Sequence, residues 1–307
     1  MTTPDPATLA PTGNLGGLFV DLVVPLDSEG TILERDLIVH IQHMARTHTV
    51  NGVIMLGSAA EFARFDDGER RRLMEIGVAA VPEGFPCGMG IHAATPDEVL
   101  AQLDIVNEVG GGGGCVFAPE VATGGAFVAE VAASSEMFLL ADLGAAPGTS
   151  LDLAQLDLAA EHERVEGIRT QTIDPAALAQ ERALIDGRAS LVGAADGAGV
   201  MAQLEAHTDS AMLTSANAFP ELWGRCVTAA LEGDWDRAHT TFADKLQPVL
   251  GAIGTVGAER HTAGIKSLLA LLRVFSDPTM RDDSSPADDD EVAQMTALLV
   301  GAGLILG

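Results

Sequence analysis

The stretch VEGIRTQTID, residues 165–174, decides how the chain is read. It runs as a short buried strand, then a loop, then the first residues of a helix, with Arg169 where the strand should end. In α/β folds the carboxyl ends of parallel strands carry the chemistry, so a charged side chain there calls for a role.

The same alternation recurs on both sides. Toward the N-terminus, GLFVDLVVPL (17–26), GVIMLG (52–57), FPCGMGI, GCVFAP and MFLLAD read as strands. Each is followed by a helical pattern such as ERDLIVHIQHMART or DGERRRLMEIGVAAV. Asp66 or Asp67 is available to cap the second helix, and Thr95 with Pro96 starts the third. Toward the C-terminus, ASLVGA and SAMLTS supply strands seven and eight around the helix DGAGVMAQLEAH. Eight strand–helix units of about 25 residues predict a closed (β/α)8 TIM barrel. An open doubly wound sheet would carry a glycine-rich fingerprint after strand one, and none is present. GGGGG (110–114) precedes strand four and reads as a helix-to-strand turn. The predicted organisation is an N-terminal tail (1–16), a barrel (17–217) and a C-terminal helical extension (218–307) that includes an acidic linker (276–290).

Bulk composition narrows the function. The chain has 307 residues, 47 % of them hydrophobic, with 17 basic and 44 acidic residues and a formal net charge of −27. Such a surface repels nucleic acid and anionic membranes, so neither is an expected partner. No apolar run reaches the length of a membrane span and no signal peptide opens the chain, which predicts a cytoplasmic protein. Cys87, Cys115 and Cys226 have no paired spacing and read as buried small apolar residues. There is no tyrosine, and the two lysines, Lys245 and Lys266, both fall after strand eight.

Four segments then carry a resemblance. VVPLDSEGTILERDL, NGVIMLGSAAEF, LTSANAFPELWGRCVTAALEGDWDRA and AGIKSLLALL, spread between Gly17 and Phe275, resemble the dihydrodipicolinate synthase / N-acetylneuraminate lyase family. The resemblance implies a TIM barrel that assembles as dimers or tetramers. It also implies a 2-oxo acid held as a Schiff base on a lysine ending strand six, and a proton-shuttling tyrosine ending strand five. A hydroxyl pair after strand two and an arginine in the loop after strand five complete the implied site. In this chain the lysine position is Arg169 and the tyrosine position is Ala141. Asp142 stands for the family's asparagine, Gly144 for its proline and Ala146 for the loop arginine. Ser58 and Glu61 survive in the strand-two motif, beside Ala59 and Ala60, and Glu120 occupies a place where a tyrosine often stands.

The chemistry follows from the inventory. A Schiff base needs an amine that can be neutral near pH 7. Lysine can be tuned to this, whereas a guanidinium stays protonated and is a poor nucleophile. The family's usual mechanism is therefore expected to be absent, and no cofactor is expected. Arg169 has two readings: a fork gripping a carboxylate ligand with help from Ser58, or an internal ion pair with Asp142 or Glu120. His92, Glu120 and Asp142 follow strands three to five, but no metal-ligand spacing supports a metal set and Arg169 disfavours a cation, so no metal is expected. His92 alone reads as a polar loop residue. Arg70, Arg71 and Arg72 read as solvated charges, and Trp223 and Trp235 as packing residues. Ser58 lacks the histidine partner of a hydrolase triad. The candidate ligand-binding set is Ser58, Arg169, Asp142 and Glu120. Two functions stay open. One is a homologue degenerate for Schiff-base chemistry that binds a small carboxylate or partners an active paralogue. The other is a lyase or aldolase acting on a 2-oxo acid without a lysine adduct.

Overall fold

The computed structural model describes residues 15–57, 61–145, 148–282 and 284–306. Eight strands close into a barrel in sequence order, every neighbouring pair parallel, with β1 sealing against β8. The first half of the chain is β1 (Gly17–Asp21), α1 (Glu34–Arg46), β2 (Gly52–Met55), α2 (Asp67–Ala80), β3 (Cys87–His92), α3 (Pro96–Glu108), β4 (Gly113–Phe117) and α4 (Gly124–Ser134). The second half is β5 (Phe138–Asp142), α5 (Leu153–Ala160), β6 (Val165–Thr170), α6 (Pro175–Ile185), β7 (Ser190–Gly193), α7 (Gly199–Glu205), β8 (Ser210–Leu213) and α8 (Pro220–Leu231). Four further helices follow: α9 (Trp235–Thr241), α10 (Gln247–Ile253), α11 (His261–Leu271) and α12 (Asp289–Gly301). Among the described residues no helix is long and apolar enough to cross a membrane.

Local chemistry sets these boundaries. Asp66 caps α2 in a reciprocal box with Glu69, and Thr95 does the same for α3 with Glu98, with Pro96 in the first turn. Asp174 accepts from the amides of Ala176 and Ala177 at the start of α6. Two expectations shift. The first strand pairs only as far as Asp21: Pro25 lacks a donor, and its carbonyl instead accepts from Leu33, while Leu26 bridges to Ile32. The five-glycine run is only partly a turn, because Gly113 and Gly114 already pair within β4.

Strand alternation divides the core in two. Leu18 and Val20 point outward into the large apolar layer beneath the helices. Phe19, Ile54, Cys115, Leu140, Val192 and Met212 point inward and form a separate cluster inside the barrel. A third cluster, with Ile253, Leu268, Met295 and Leu299, holds the C-terminal helices to each other. Trp223 of α8 is fully buried, its ring 6.4 Å from that of Phe242.

The β1–β8 seam is fastened by Asn217. Its amide nitrogen donates to the carbonyls of Asp21 and Thr214, both at 2.7 Å, and its oxygen lies 2.9 Å from Nε2 of fully buried His40 on α1. Burial pushes the His40 imidazole down from 6.5 to about 4. An unfolded histidine takes up its proton near 6.5, so between these values the unfolded chain binds more protons and folding stability falls as pH drops. Glu166, raised by burial to about 7, acts in the opposite sense between about 4.5 and 7. The expected result is therefore a difference between proteins. Urea midpoints followed from pH 7 to pH 4 should fall less steeply in His40→Gln than in the unsubstituted chain, and equal slopes would remove His40 from the account.

Candidate active site at the barrel mouth

Register places the candidate residues before any side chain is considered. His92, Phe117, Asp142 and Arg169 are successive partners across β3, β4, β5 and β6, all at the carboxyl ends of their strands. Each points inward, so the four form one arc across the mouth.

Arg169 and Asp142 form a buried ion pair, with Nη1 2.5 Å from Oδ2. The second oxygen of Asp142 accepts from the Gly144 amide at 2.8 Å, so both carboxylate oxygens are engaged. Gly144 is at φ +76°, a conformation that favours glycine. Burial disfavours the Arg169 charge, but Asp142 and Asp21 more than offset it and hold the pKa above the ordinary value. The guanidinium also sits 5.1 Å from the centre of the Phe117 ring.

His92 corrects the expectation of a polar loop residue. It ends β3, its ring stacked on Phe117 at 4.0 Å and 7° and covered on the other side by Phe62 at 4.4 Å. Arg70 lies 4.1 Å above Phe62, which also corrects its reading as a solvated charge. Arg70, Phe62, His92, Phe117 and Arg169 thus form one column with a cation at each end. Burial lowers the His92 pKa to about 4, helped by the Arg169 and Arg70 charges, against a hydrogen bond from the ring to the Leu56 carbonyl. The imidazole is neutral at pH 7, and its Nε2 is buried without a hydrogen-bond partner among the described residues. Beside the column lies a cleft of about 650 Å³, lined by Arg64, Arg70, His92, Phe117 and Pro119 among others.

Glu120 stands apart from this arc. Glu120 is exposed and caps nothing, and no ion pair joins it to Arg169 among the described residues. His92, Glu120 and Asp142 do not converge as a metal-binding group. Ser58, Ala59, Ala60 and Ala146 lie outside the described residues.

Both lysines are engaged away from the barrel interior. Lys245 donates to the Ala302 carbonyl at 2.8 Å. Lys266, on α11 and fully buried, pairs with Glu61 at 2.5 Å and donates to the Thr279 carbonyl at 3.1 Å. Burial lowers its pKa, against the pull of Glu61. The other oxygen of Glu61 accepts from the Arg281 and Asp282 amides at 2.6 and 3.1 Å. Glu61 thereby clasps the segment after α11 onto the strand-two loop. The far side of the mouth is tied by Asp196, which accepts from the Thr214 and Ser215 amides at 2.9 and 2.7 Å and lies 3.5 Å from His261 Nε2.

Comparison with known proteins agrees with this architecture. A model of the dihydrodipicolinate synthetase family matches residues 14–302. A DapA-like lyase of Halobacterium salinarum, itself uncharacterized, is 26 % identical over 309 residues, spanning 98 % of each chain. Dihydrodipicolinate synthase of Thermotoga maritima shares the fold with a TM-score of 0.84 at 16 % identity, over 94 % of this chain and 99 % of that one. The enzyme of Acinetobacter baumannii, solved with pyruvate, also scores 0.84 at 16 % identity, over 95 % and 100 % of the two chains. The family match runs over nearly the whole length of a barrel whose strands close in the same order as they occur in the sequence, and the chain belongs to the dihydrodipicolinate synthetase family.

Proposed function

We propose that this chain is a family member without Schiff-base chemistry that holds a small carboxylate, such as a 2-oxo acid, at the barrel mouth. One observation carries the reading: the residue in the lysine position, Arg169, is a guanidinium locked in a buried pair with Asp142. A guanidinium at that position supplies no free amine to attack a carbonyl. Ala141, in the tyrosine position, supplies no hydroxyl to carry a proton. The ligand's carboxylate would enter the cleft past Arg64 and exchange with Asp142 on Arg169. Arg169 is the natural acceptor because its fork can hold a carboxylate in two parallel hydrogen bonds.

The test is borohydride reduction in the presence of pyruvate and a panel of 2-oxo acids, read by intact mass beside calorimetry of the same ligands. The expected result is no covalent adduct, with saturable binding that is lost in Arg169→Ala. An adduct on Lys245 or Lys266 would overturn the reading.

A second reading is a lyase or aldolase acting on a 2-oxo acid without a lysine adduct. His92 favours it, since a neutral imidazole whose Nε2 has no partner among the described residues is the form that accepts a proton. Turnover of a 2-oxo acid that disappears in His92→Phe would select this reading over simple binding.

A further inference from the structure

The opposite end of the barrel carries a second cavity. Barrels of this type fill their interior with layers of bulky side chains from alternate strands. At the floor of this one, the inward positions of β3, β4 and β6 are Gly88, Gly113 and Gly167. Three strands therefore add no side chain of their own to that layer, and Ile54, Phe138 and Leu15 crowd the places where a Cβ would stand. A cavity of about 80 Å³ remains, several times what one ordered water needs, bounded by Phe19, Ile54, Cys115, Phe138, Leu140 and Val192. Its walls are almost wholly apolar, so it does not suit a sugar, a phosphate or a carboxylate.

One charged group reaches it. The pairing of β5 with β6 slips between Leu139 and Leu140, whose partners are Val165 and Gly167, and leaves Glu166 as an extra residue in β6. Such a bulge re-aims a side chain, and Glu166 lines the cavity. No hydrogen bond or ion pair to this carboxyl occurs among the described residues. Its surroundings desolvate it enough to raise its pKa to about 7, which shows how poorly its charge is compensated.

We infer that the barrel floor is a binding site for a small primary amine, with the ammonium on Glu166 and a short alkyl chain among Phe19, Ile54, Leu140 and Val192. The ammonium supplies the counter-charge that Glu166 lacks, and the chain occupies the apolar cavity beside it. A net charge of −27 also raises the local concentration of small cations around the molecule. The site is independent of the mouth, since the arc from His92 to Arg169 ends the same strands whose opposite ends form the floor.

The test uses n-butylamine as the probe and n-butanol as its uncharged counterpart, by calorimetry on the full chain. Saturable n-butylamine binding is expected, weakened on the order of tenfold or more in Glu166→Gln, with n-butanol unaffected by that change. In the unsubstituted protein, nuclear Overhauser contacts from the butyl chain should reach the Phe19 or Phe138 ring. Absence of saturable binding, equal affinity for Glu166→Gln, or contacts only to the mouth rings Phe62 and Phe117 would each overturn the assignment.

Discussion

Glu61→Ala is expected to cost about 3–5 kcal/mol of folding stability, the range for removing one partner of a buried ion pair. The physical reason is the isolation of Lys266. Its ammonium is fully buried, and without Glu61 it keeps, among the described residues, only the Thr279 carbonyl. The Arg281 and Asp282 amides lose their acceptor at the same time. Lys266→Met should cost less, because the carboxylate it abandons still accepts from those two amides. The double change Glu61→Leu with Lys266→Met should recover much of the loss, since no buried charge is left unpaired. Urea unfolding measures all three, and hydrogen exchange at residues 281 and 282 localises the effect. A loss below about 1 kcal/mol for Glu61→Ala would mean that the pair adds nothing beyond a surface contact.

The second large effect concerns the mouth. Asp142→Ala leaves the Arg169 guanidinium buried beside Phe117 without its anion, and a loss of about 3–5 kcal/mol is again expected. A more informative substitution is Arg169→Lys. A lysine there would stand beside Asp142, which would hold its ammonium charged and therefore non-nucleophilic. Arg169→Lys alone is thus expected to give no pyruvate adduct on borohydride reduction, whereas Arg169→Lys with Asp142→Asn should give one. Trapping by the single variant, or its absence in the double variant, would show that Asp142 does not set the amine's charge state.

The barrel and the Arg169–Asp142 neighbourhood were both legible in the sequence, for the same reason. Parallel strands that succeed one another pair side by side, so residues ending strands five and six must meet. Helix starts were legible through Asp66 and Thr95, whose side chains satisfy amides three residues on. His92 was not legible as a strand end, because FPCGMGI read as the third strand stops one residue short of it and the stack on Phe117 depends on register between two strands. Glu120 lies past the end of β4 and is exposed, which its place in the sequence did not announce. Nor does any local pattern announce that Glu61 would hold amides 220 and 221 positions away, or that a slipped register would aim Glu166 into the barrel floor.

The burial of Trp223 has a spectroscopic consequence. With no tyrosine in the chain, intrinsic fluorescence comes essentially from Trp223 and Trp235, on α8 and α9. Emission therefore reports on one flank of the molecule, where the barrel meets its C-terminal helices. A ligand arriving at Arg169 or at Glu166 would leave it nearly unchanged, while loosening of the α8–α9 seam would shift it to longer wavelength. A red shift during unfolding thus times the detachment of that flank, separately from the opening of the strands.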